Sequence, residues 1–261
     1  MTGIPETRSL KKWGVSNRSV VSSESNLLAP IDIRAPIPFQ LELQQLYEHI
    51  ELKLEHVSQK VIVITSATHG EGNSTIAAYY ALLLYRRGNG HAPVLEHSHL
   101  PANINVNRVL LIDANFRRPA IHRLFNIRND VGFAEILQHK VDMAKSIDTR
   151  QETKLTIVTA GSATNGVQDF LKQNSLSNYI RTFKQYYNYI VVDAAPVLPY
   201  WDALSVGRIC DGVVLNIRAE QTKRDVVLRA KTKLEEARIP ILGTVLNQRK
   251  YHIPKFIYDR I

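Results

Sequence analysis

Apolar residues form two alternating patterns along the chain from residue 39 onward. An amphipathic helix ending near Glu55 is predicted by apolar positions mostly at helical spacing: Leu41, Leu43, Leu46, Tyr47, Ile50 and Leu54. Short runs rich in β-branched residues then follow at 61–65, 109–112, 155–159, 189–192, 212–217 and 241–246. Longer helical patterns lie between these runs, at 74–87, 167–186 and 223–238. Because such apolar strands are separated by helices, we predict an α/β fold with a mostly parallel sheet covered by helices on both faces.

Two segments depart from this alternation. Residues 1–38 are rich in Ser, Pro, Asn and isolated charges without a sustained period, which predicts a flexible N-terminal arm. We therefore divide the chain into an arm at 1–38 and a single domain at 39–261. Residues 89–107 form a long predicted loop between a helix and the second strand, and the sequence leaves the role of this insert open.

Composition places the protein inside the cell. Hydrophobic residues make up 44% of 261, and Cys210 is the single cysteine, so a disulfide framework is excluded. No apolar run approaches the ~18 residues of a membrane span, and the N-terminus lacks the apolar core of a signal peptide. The net charge of +9 suits nucleic acid, an anionic membrane or phosphorylated ligands. No nucleic-acid-binding motif accompanies it, so we expect no nucleic-acid partner.

The most informative segment, TSATHGEGNST at 65–75, follows the first predicted strand and opens into a helix. Glycines there let backbone N–H groups converge on phosphate oxygens, and a helix N-terminus favours negative charge. The predicted nucleotide-binding residues are Gly70, Glu71, Gly72, Asn73, Ser74 and Thr75. The loop departs from the G-x-x-x-x-G-K-[ST] pattern twice, because Ala67 replaces the first glycine and Asn73 replaces the lysine. A charge-assisted phosphate contact of roughly 1.5–3 kcal/mol is therefore missing.

Two carboxylates end predicted strands. Asp113 closes the run that begins at Val109, and Asp193 closes the run that begins at Tyr189. Such carboxylates beside a phosphate loop can hold Mg²⁺ directly or through water, with the Ser74 hydroxyl as a further ligand. We name Asp113 and Asp193 as catalytic candidates, and both with Ser74 as metal ligands. Each aspartate alone could instead cap the following helix or turn.

These segments resemble the Walker A, Walker A′ and Walker B motifs of bacterial tyrosine kinases. The members of that family are P-loop proteins. They are the cytoplasmic domains of the polysaccharide co-polymerases that act in capsule and exopolysaccharide synthesis. The resemblance runs from about Glu42 to Gln248. It also includes matching short segments: Thr65-Ser66, Gly70-Glu71-Gly72, Arg117-Arg118-Pro119, Ala160-Gly161, Asp202-Ala203-Leu204, Asp211-Gly212-Val213 and the LGTVLN run ending at Asn247.

The chain departs from the family pattern at several functional positions. Asn73 replaces the Walker A lysine, and Asn115 replaces the second acidic residue of the A′ motif. Family members carry an E-x-x-R-x-x-R pattern used in ring assembly, and this chain has Glu42, Gln45 and Glu48 at those positions. The family's C-terminal tyrosine cluster is reduced here to Tyr251 and Tyr258. These departures affect phosphate activation, proton abstraction, oligomer formation and the substrate tail, which indicates a degenerate member.

The resemblance implies a protein of exopolysaccharide or capsule biosynthesis and export. It would bind ATP or ADP with Mg²⁺ weakly and act as a regulatory or scaffold partner of a membrane polysaccharide co-polymerase. The resemblance is also compatible with a homo-oligomer. That role would place it in the cytoplasm, peripheral to the inner face of the plasma membrane. One alternative is an active tyrosine autokinase that controls polysaccharide chain length, with another basic residue in the lysine's place. A second is a partitioning or positioning ATPase, although Thr68 stands where that class carries an extra lysine.

Overall fold

The computed structural model describes residues 37–88, 107–140, 148–149, 155–162, 165–171 and 175–248. Residues 1–36 of the predicted arm, residues 89–106 of the insert, and both C-terminal tyrosines, Tyr251 and Tyr258, lie outside this description. The division into an arm and a domain therefore stays a prediction.

Strands and helices alternate through the described chain. The strands are β1 (Lys60–Ser66), β2 (Val109–Ala114), β3 (Asp148–Thr149), β4 (Leu155–Val158), β5 (Tyr189–Ala194), β6 (Gly212–Arg218) and β7 (Ile241–Asn247). The helices are α1 (Ile37–Lys53), α2 (Asn73–Gly88), α3 (Ile121–Leu124), α4 (Phe133–Leu137), α5 (Val167–Leu171), α6 (Ser175–Lys184), α7 (Asp202–Gly207) and α8 (Arg224–Glu236). Within the single helix predicted at 167–186, the structure describes α5 and α6.

One sheet holds all of these strands, in the order β3-β4-β2-β5-β1-β6-β7. Every neighbouring pair is parallel except β3 with β4. The predicted α/β fold with a mostly parallel sheet is confirmed. Its register sets Asp113 opposite Asp193, and Ser66 opposite Asn216. The carboxyl ends of these strands therefore bring the two predicted carboxylates and the start of the phosphate loop to one edge.

The core has two apolar layers, one on each face of the sheet. Successive strand residues point to opposite faces, so Val61 and Val63 pack with α4–α8, while Ile62 and Ile64 pack with α1–α3. These strand residues are fully buried. Burial on both faces explains why the strands are continuous apolar runs rather than alternating ones.

Helix α1 is fastened to the sheet by apolar and polar contacts together. Ile50 is fully buried, whereas Leu52 on the opposite side is 70% exposed. The Glu51 carboxylate accepts a hydrogen bond of 3.0 Å from the Tyr189 hydroxyl and lies 3.1 Å from Lys60 Nζ. Helix α1 is thus an integral part of the domain. Neither α1 nor any other helix in the described part of the chain is long and apolar enough to cross a membrane.

Replacing Ile50 with alanine should lower the free energy of unfolding by about 2–5 kcal/mol, because the cavity it leaves is closed on all sides. Leu52→Ala is the matched control on the same helix, and its exposed side chain should change stability by less than about 0.5 kcal/mol. Urea unfolding followed by circular dichroism measures both. Equal effects of the two substitutions would contradict the packing of α1 described above.

Candidate functional site

The phosphate loop lies between β1 and α2 and depends on two glycines. Gly70 and Gly72 have φ angles of +79° and +90°, a left-handed conformation that other residues rarely adopt. A side chain at Gly72 would also collide with the Asn247 amide. These backbone angles allow consecutive N–H groups to converge on an anion at the N-terminus of α2. The loop therefore keeps the backbone shape of a phosphate cradle.

Asn73, at the position of the missing lysine, turns its side chain toward the sheet. Its Nδ2 donates to Ser66 Oγ at 2.9 Å and, at 3.5 Å, to the Ala194 carbonyl. Its Oδ1 accepts a hydrogen bond of 3.2 Å from Asn216 Nδ2. The Asn73 side chain is 8% exposed. The residue therefore works as a buried neutral bridge between the loop and the strands.

Glu71 also directs its side chain into the protein. Its Oε1 accepts hydrogen bonds from the backbone N–H of Thr68 (3.2 Å), from the Thr68 hydroxyl (2.6 Å) and from the Thr222 hydroxyl (3.1 Å). Its Oε2 is buried and has no partner among the described residues. This carboxylate shapes the loop, so Glu71 would contact a nucleotide through its backbone.

Two asparagines that were not among the predicted site residues hydrogen-bond to the backbone of the phosphate loop. Asn216 on β6 and Asn247 on β7 both donate from Nδ2 to the carbonyl of Glu71, at 2.6 and 2.8 Å. Asn216 is fully buried. The sequence signal that could have identified Asn216 is its position as a polar residue inside the otherwise apolar run at 212–217. Asn247 ends the LGTVLN segment of the family resemblance.

Asp113 is a helix cap as well as a site carboxylate. One oxygen accepts from the N–H of Asn115 at 3.1 Å, and the other accepts from the N–H groups of Ala120 and Ile121 at 3.0 and 3.1 Å. Burial raises the pKa of Asp113 to about 6, although these hydrogen bonds and nearby Arg123 oppose the shift. The capping role considered for an isolated strand-end aspartate therefore applies to this one.

Asp193 lies beside Asp113 on the neighbouring strand and has a different environment. It is fully buried, and neither carboxylate oxygen has a hydrogen-bond partner among the described residues. Burial and the adjacent Asp113 raise its pKa well above the usual range, and the nearby Ser74 hydroxyl opposes that shift. Buried oxygens without partners are costly unless a cation or donor satisfies them. The residues thus fit a hard cation such as Mg²⁺.

The remaining predicted residues lie around this pair. Ser74 and Thr75 lie in the first turn of α2, where both are partly exposed. Asn115, in the A′ segment, is 8% exposed, and its Oδ1 accepts the N–H of Arg118 at 3.3 Å. The amide at this position therefore closes a backbone turn. It offers no carboxylate that could accept a proton.

An ion pair ties the A′ segment to the loop after β5. Arg117 Nε donates to the buried Asp202 at 3.0 Å, and its guanidinium stacks 4.6 Å from the Tyr200 ring centre. His69 of the phosphate loop meets the Tyr200 hydroxyl at 3.3 Å. The pKa of His69 is lowered by burial and by nearby Arg118, which favours its neutral form. These contacts connect the phosphate loop, the A′ segment and the loop after β5.

Known proteins resemble this chain in both sequence and fold. The chain is 29% identical over 217 residues to the tyrosine-protein kinase YwqD of Bacillus subtilis (strain 168), covering 82% of this chain and 84% of that one. The solved VpsO kinase domain superposes with a TM-score of 0.65 at 25% identity, over 83% of this chain and 100% of that one. The chain fits the bacterial tyrosine-kinase family of exopolysaccharide biosynthesis. No family model matches the sequence.

Two further proteins resemble this chain, one in part of its sequence and one in its fold. The succinoglycan biosynthesis transport protein ExoP of Rhizobium meliloti (strain 1021) is 28% identical over 192 residues, which are 72% of this chain and 22% of ExoP. The septum site-determining protein MinD of Pyrococcus horikoshii, solved with Mg-ADP, has a TM-score of 0.58 at 18% identity, over 77% of this chain and 76% of MinD. The MinD likeness shows the P-loop NTPase fold alone.

Asp193→Asn should stabilise the ligand-free protein by about 1–3 kcal/mol at pH 7, because it removes an ionisable group whose charged form is disfavoured by burial and by Asp113. The sign follows from the raised pKa of Asp193. Above the unfolded pKa of about 3.9, the unfolded chain releases a proton that the folded chain retains, so native stability falls as the pH rises. The gain from the substitution should therefore shrink as the pH falls toward 4. Thermal unfolding between pH 4 and 8 measures it.

The control for that substitution is Glu236→Gln, which removes an exposed carboxylate at the end of α8. It should leave the melting temperature almost unchanged at every pH. A loss of stability in Asp193→Asn at pH 7 would contradict the prediction and mean that the native carboxylate is stabilised by a partner.

Proposed function

We propose that this chain is a weakly nucleotide-binding P-loop protein of exopolysaccharide assembly whose phosphoryl transfer is impaired. In this proposal it acts as a regulatory or scaffold partner of a membrane polysaccharide co-polymerase, on the cytoplasmic side of the membrane. The observation that carries the proposal is Asn73. A neutral amide stands at the lysine position, and its polar atoms bond to Ser66, Ala194 and Asn216.

Binding is supported by what the site keeps. The backbone of Gly70–Gly72 retains the left-handed turns of a phosphate cradle, and Ser74 follows in the first turn of α2. Ser74, Asp113 and Asp193 are the residues that would hold Mg²⁺, which would neutralise charge on the nucleotide's phosphates. Two buried carboxylates side by side are otherwise unfavourable. Retention of this pair supports a cation-dependent ligand.

Impaired transfer is supported by what the site lacks. Phosphoryl transfer depends on positive charge placed before the reaction and on a group that accepts the substrate's proton. Asn73 supplies no charge, and the Asn115 amide closes the turn at Arg118. Loss of a single preorganised contact costs about 2.7–4 kcal/mol in the transition state, or about 10²–10³ in rate. Binding depends on more contacts and should decline less.

An active tyrosine autokinase is the second candidate, because YwqD of Bacillus subtilis and CpsD of Streptococcus agalactiae are named tyrosine-protein kinases. It would require another cation in the lysine's place and a proton acceptor other than Asn115. A partitioning ATPase has less support. MinD and a plasmid partition protein of Borrelia burgdorferi share the fold at 18–20% identity. However, this chain has Thr68 at the position where partitioning ATPases carry an extra lysine.

Asn73→Lys should tighten Mg-ATP binding about tenfold or more, because it restores a charge-assisted phosphate contact. Isothermal titration calorimetry of the full chain with ATP and Mg²⁺ measures the change. Asn73→Ala is the control, since it breaks the same bonds to Ser66 and Asn216 without adding charge, and it should not tighten binding. Unchanged affinity in a folded Asn73→Lys protein would mean that the loop does not cradle phosphate.

In cells, deleting the gene should lower or alter exopolysaccharide if the fold serves assembly. Complementation with the Ser74→Ala and Asp193→Asn double variant should restore most of the polymer, because the proposed role needs the folded surface more than transfer. Polymer yield and anti-phosphotyrosine blots of the complemented strains measure this. Loss of polymer with a folded, well-expressed double variant would favour the autokinase instead.

A further inference from the structure

We propose that Arg218, at the end of β6, supplies to the nucleotide's phosphates the positive charge that Asn73 lacks. This inference rests on the proposed nucleotide binding and deepens it. It leaves phosphoryl transfer impaired, because Asn115 still offers no carboxylate to accept a proton. It assigns a phosphate-binding cation to a strand far from the loop in sequence. The ligand chemistry is a nucleoside di- or triphosphate, recognised through its phosphate chain.

The sheet directs Arg218 toward the phosphate loop. Side chains two residues apart on a strand share a face, and Asn216 on that face bonds to Glu71 and Asn73. Arg218 also pairs in register with Asn247, whose side chain bonds to the same Glu71 carbonyl. Both neighbours of Arg218 therefore contact the loop backbone. Arg218 lies one step further toward the carboxyl edge, where ligands of parallel sheets bind.

The Arg218 guanidinium reaches the loop itself. Its Nη1 lies 3.5 Å from the carbonyl oxygen of Gly70, a long and therefore weak hydrogen bond. No carboxylate in the described ranges forms an ion pair with it. The side chain is only partly buried, so turning it toward an arriving phosphate would break little. A guanidinium offers paired N–H donors that match phosphate oxygens.

Other basic side chains near the site are differently placed. Arg117 is held by Asp202 and stacked on Tyr200. Lys233 donates to the Leu198 carbonyl, at 3.3 Å. Arg118 is the closest rival, because it is exposed and lowers the pKa of His69 in the loop. The bond to Gly70 favours Arg218, and the experiment compares it with Arg118 directly.

The test is calorimetric binding of ATP, ADP and adenosine, each with Mg²⁺, to the full chain and its variants. Arg218→Gln should weaken ATP binding about tenfold and ADP binding by a similar or smaller factor, with adenosine unaffected. Arg218→Lys should recover part of the loss. The matched control is Arg224→Gln, an exposed arginine at the start of α8, which should change affinity less than about twofold.

A double-mutant cycle with Asn73→Lys sharpens the test. If Arg218 supplies the charge of the missing lysine, Arg218→Gln should reduce ATP affinity less in the Asn73→Lys variant than in the native chain. Three outcomes would overturn the inference while leaving nucleotide binding intact. They are native-like ATP affinity in Arg218→Gln, equal losses of affinity for adenosine and ATP, and a loss of ATP affinity in Arg118→Gln alone. Absence of ATP binding by the native chain would overturn the proposed function and this inference together.

Discussion

The buried amide of Asn216 ties the phosphate loop to the sheet, and the arrangement of the site depends on it. Its Nδ2 reaches both the Glu71 carbonyl at 2.6 Å and Asn73 Oδ1 at 3.2 Å, which are more than 140 residues away in sequence. A hydrogen-bonded network in a low-dielectric interior is stronger than one in water and holds a single geometry. The loop is therefore shaped before any ligand arrives. The same network removes Asn73 from the phosphate side.

Stability and ligand binding make opposite demands on the two strand-end carboxylates. Asp113 receives backbone N–H groups and so serves the fold even without a ligand. Asp193 receives none from the described residues and lies directly opposite Asp113. Ionisation of both buried carboxyl groups would destabilise the ligand-free chain, whereas a divalent cation would stabilise the ionised pair. In the proposed function, this asymmetry would link metal binding to order at the carboxyl edge of the sheet.

Much of the fold could be predicted because local patterns carry it. Each of the six predicted apolar runs is a strand. In β1, β2, β4 and β5 burial on both faces requires continuous apolar sequence, whereas the edge strand β7 is only partly buried. The two-residue β3 and short helices such as α3 and α7 were not predicted, because elements this short do not repeat a period often enough to be recognised. In the site, the glycines of the loop predicted its backbone shape. The inward orientation of Glu71 toward Thr222 depends on a turn 151 residues away.

The sequence by itself determined which groups are available: a glycine loop before a helix, two strand-end aspartates, and an asparagine in place of the lysine. It did so because loop shape and strand burial follow from neighbouring residues. Only the tertiary structure decided how these groups are used. Strand register placed Asp193 against Asp113 and brought Asn216, Asn247 and Arg218 beneath the loop. Hydrogen bonding between residues distant in sequence depends on that register, which no local pattern specifies.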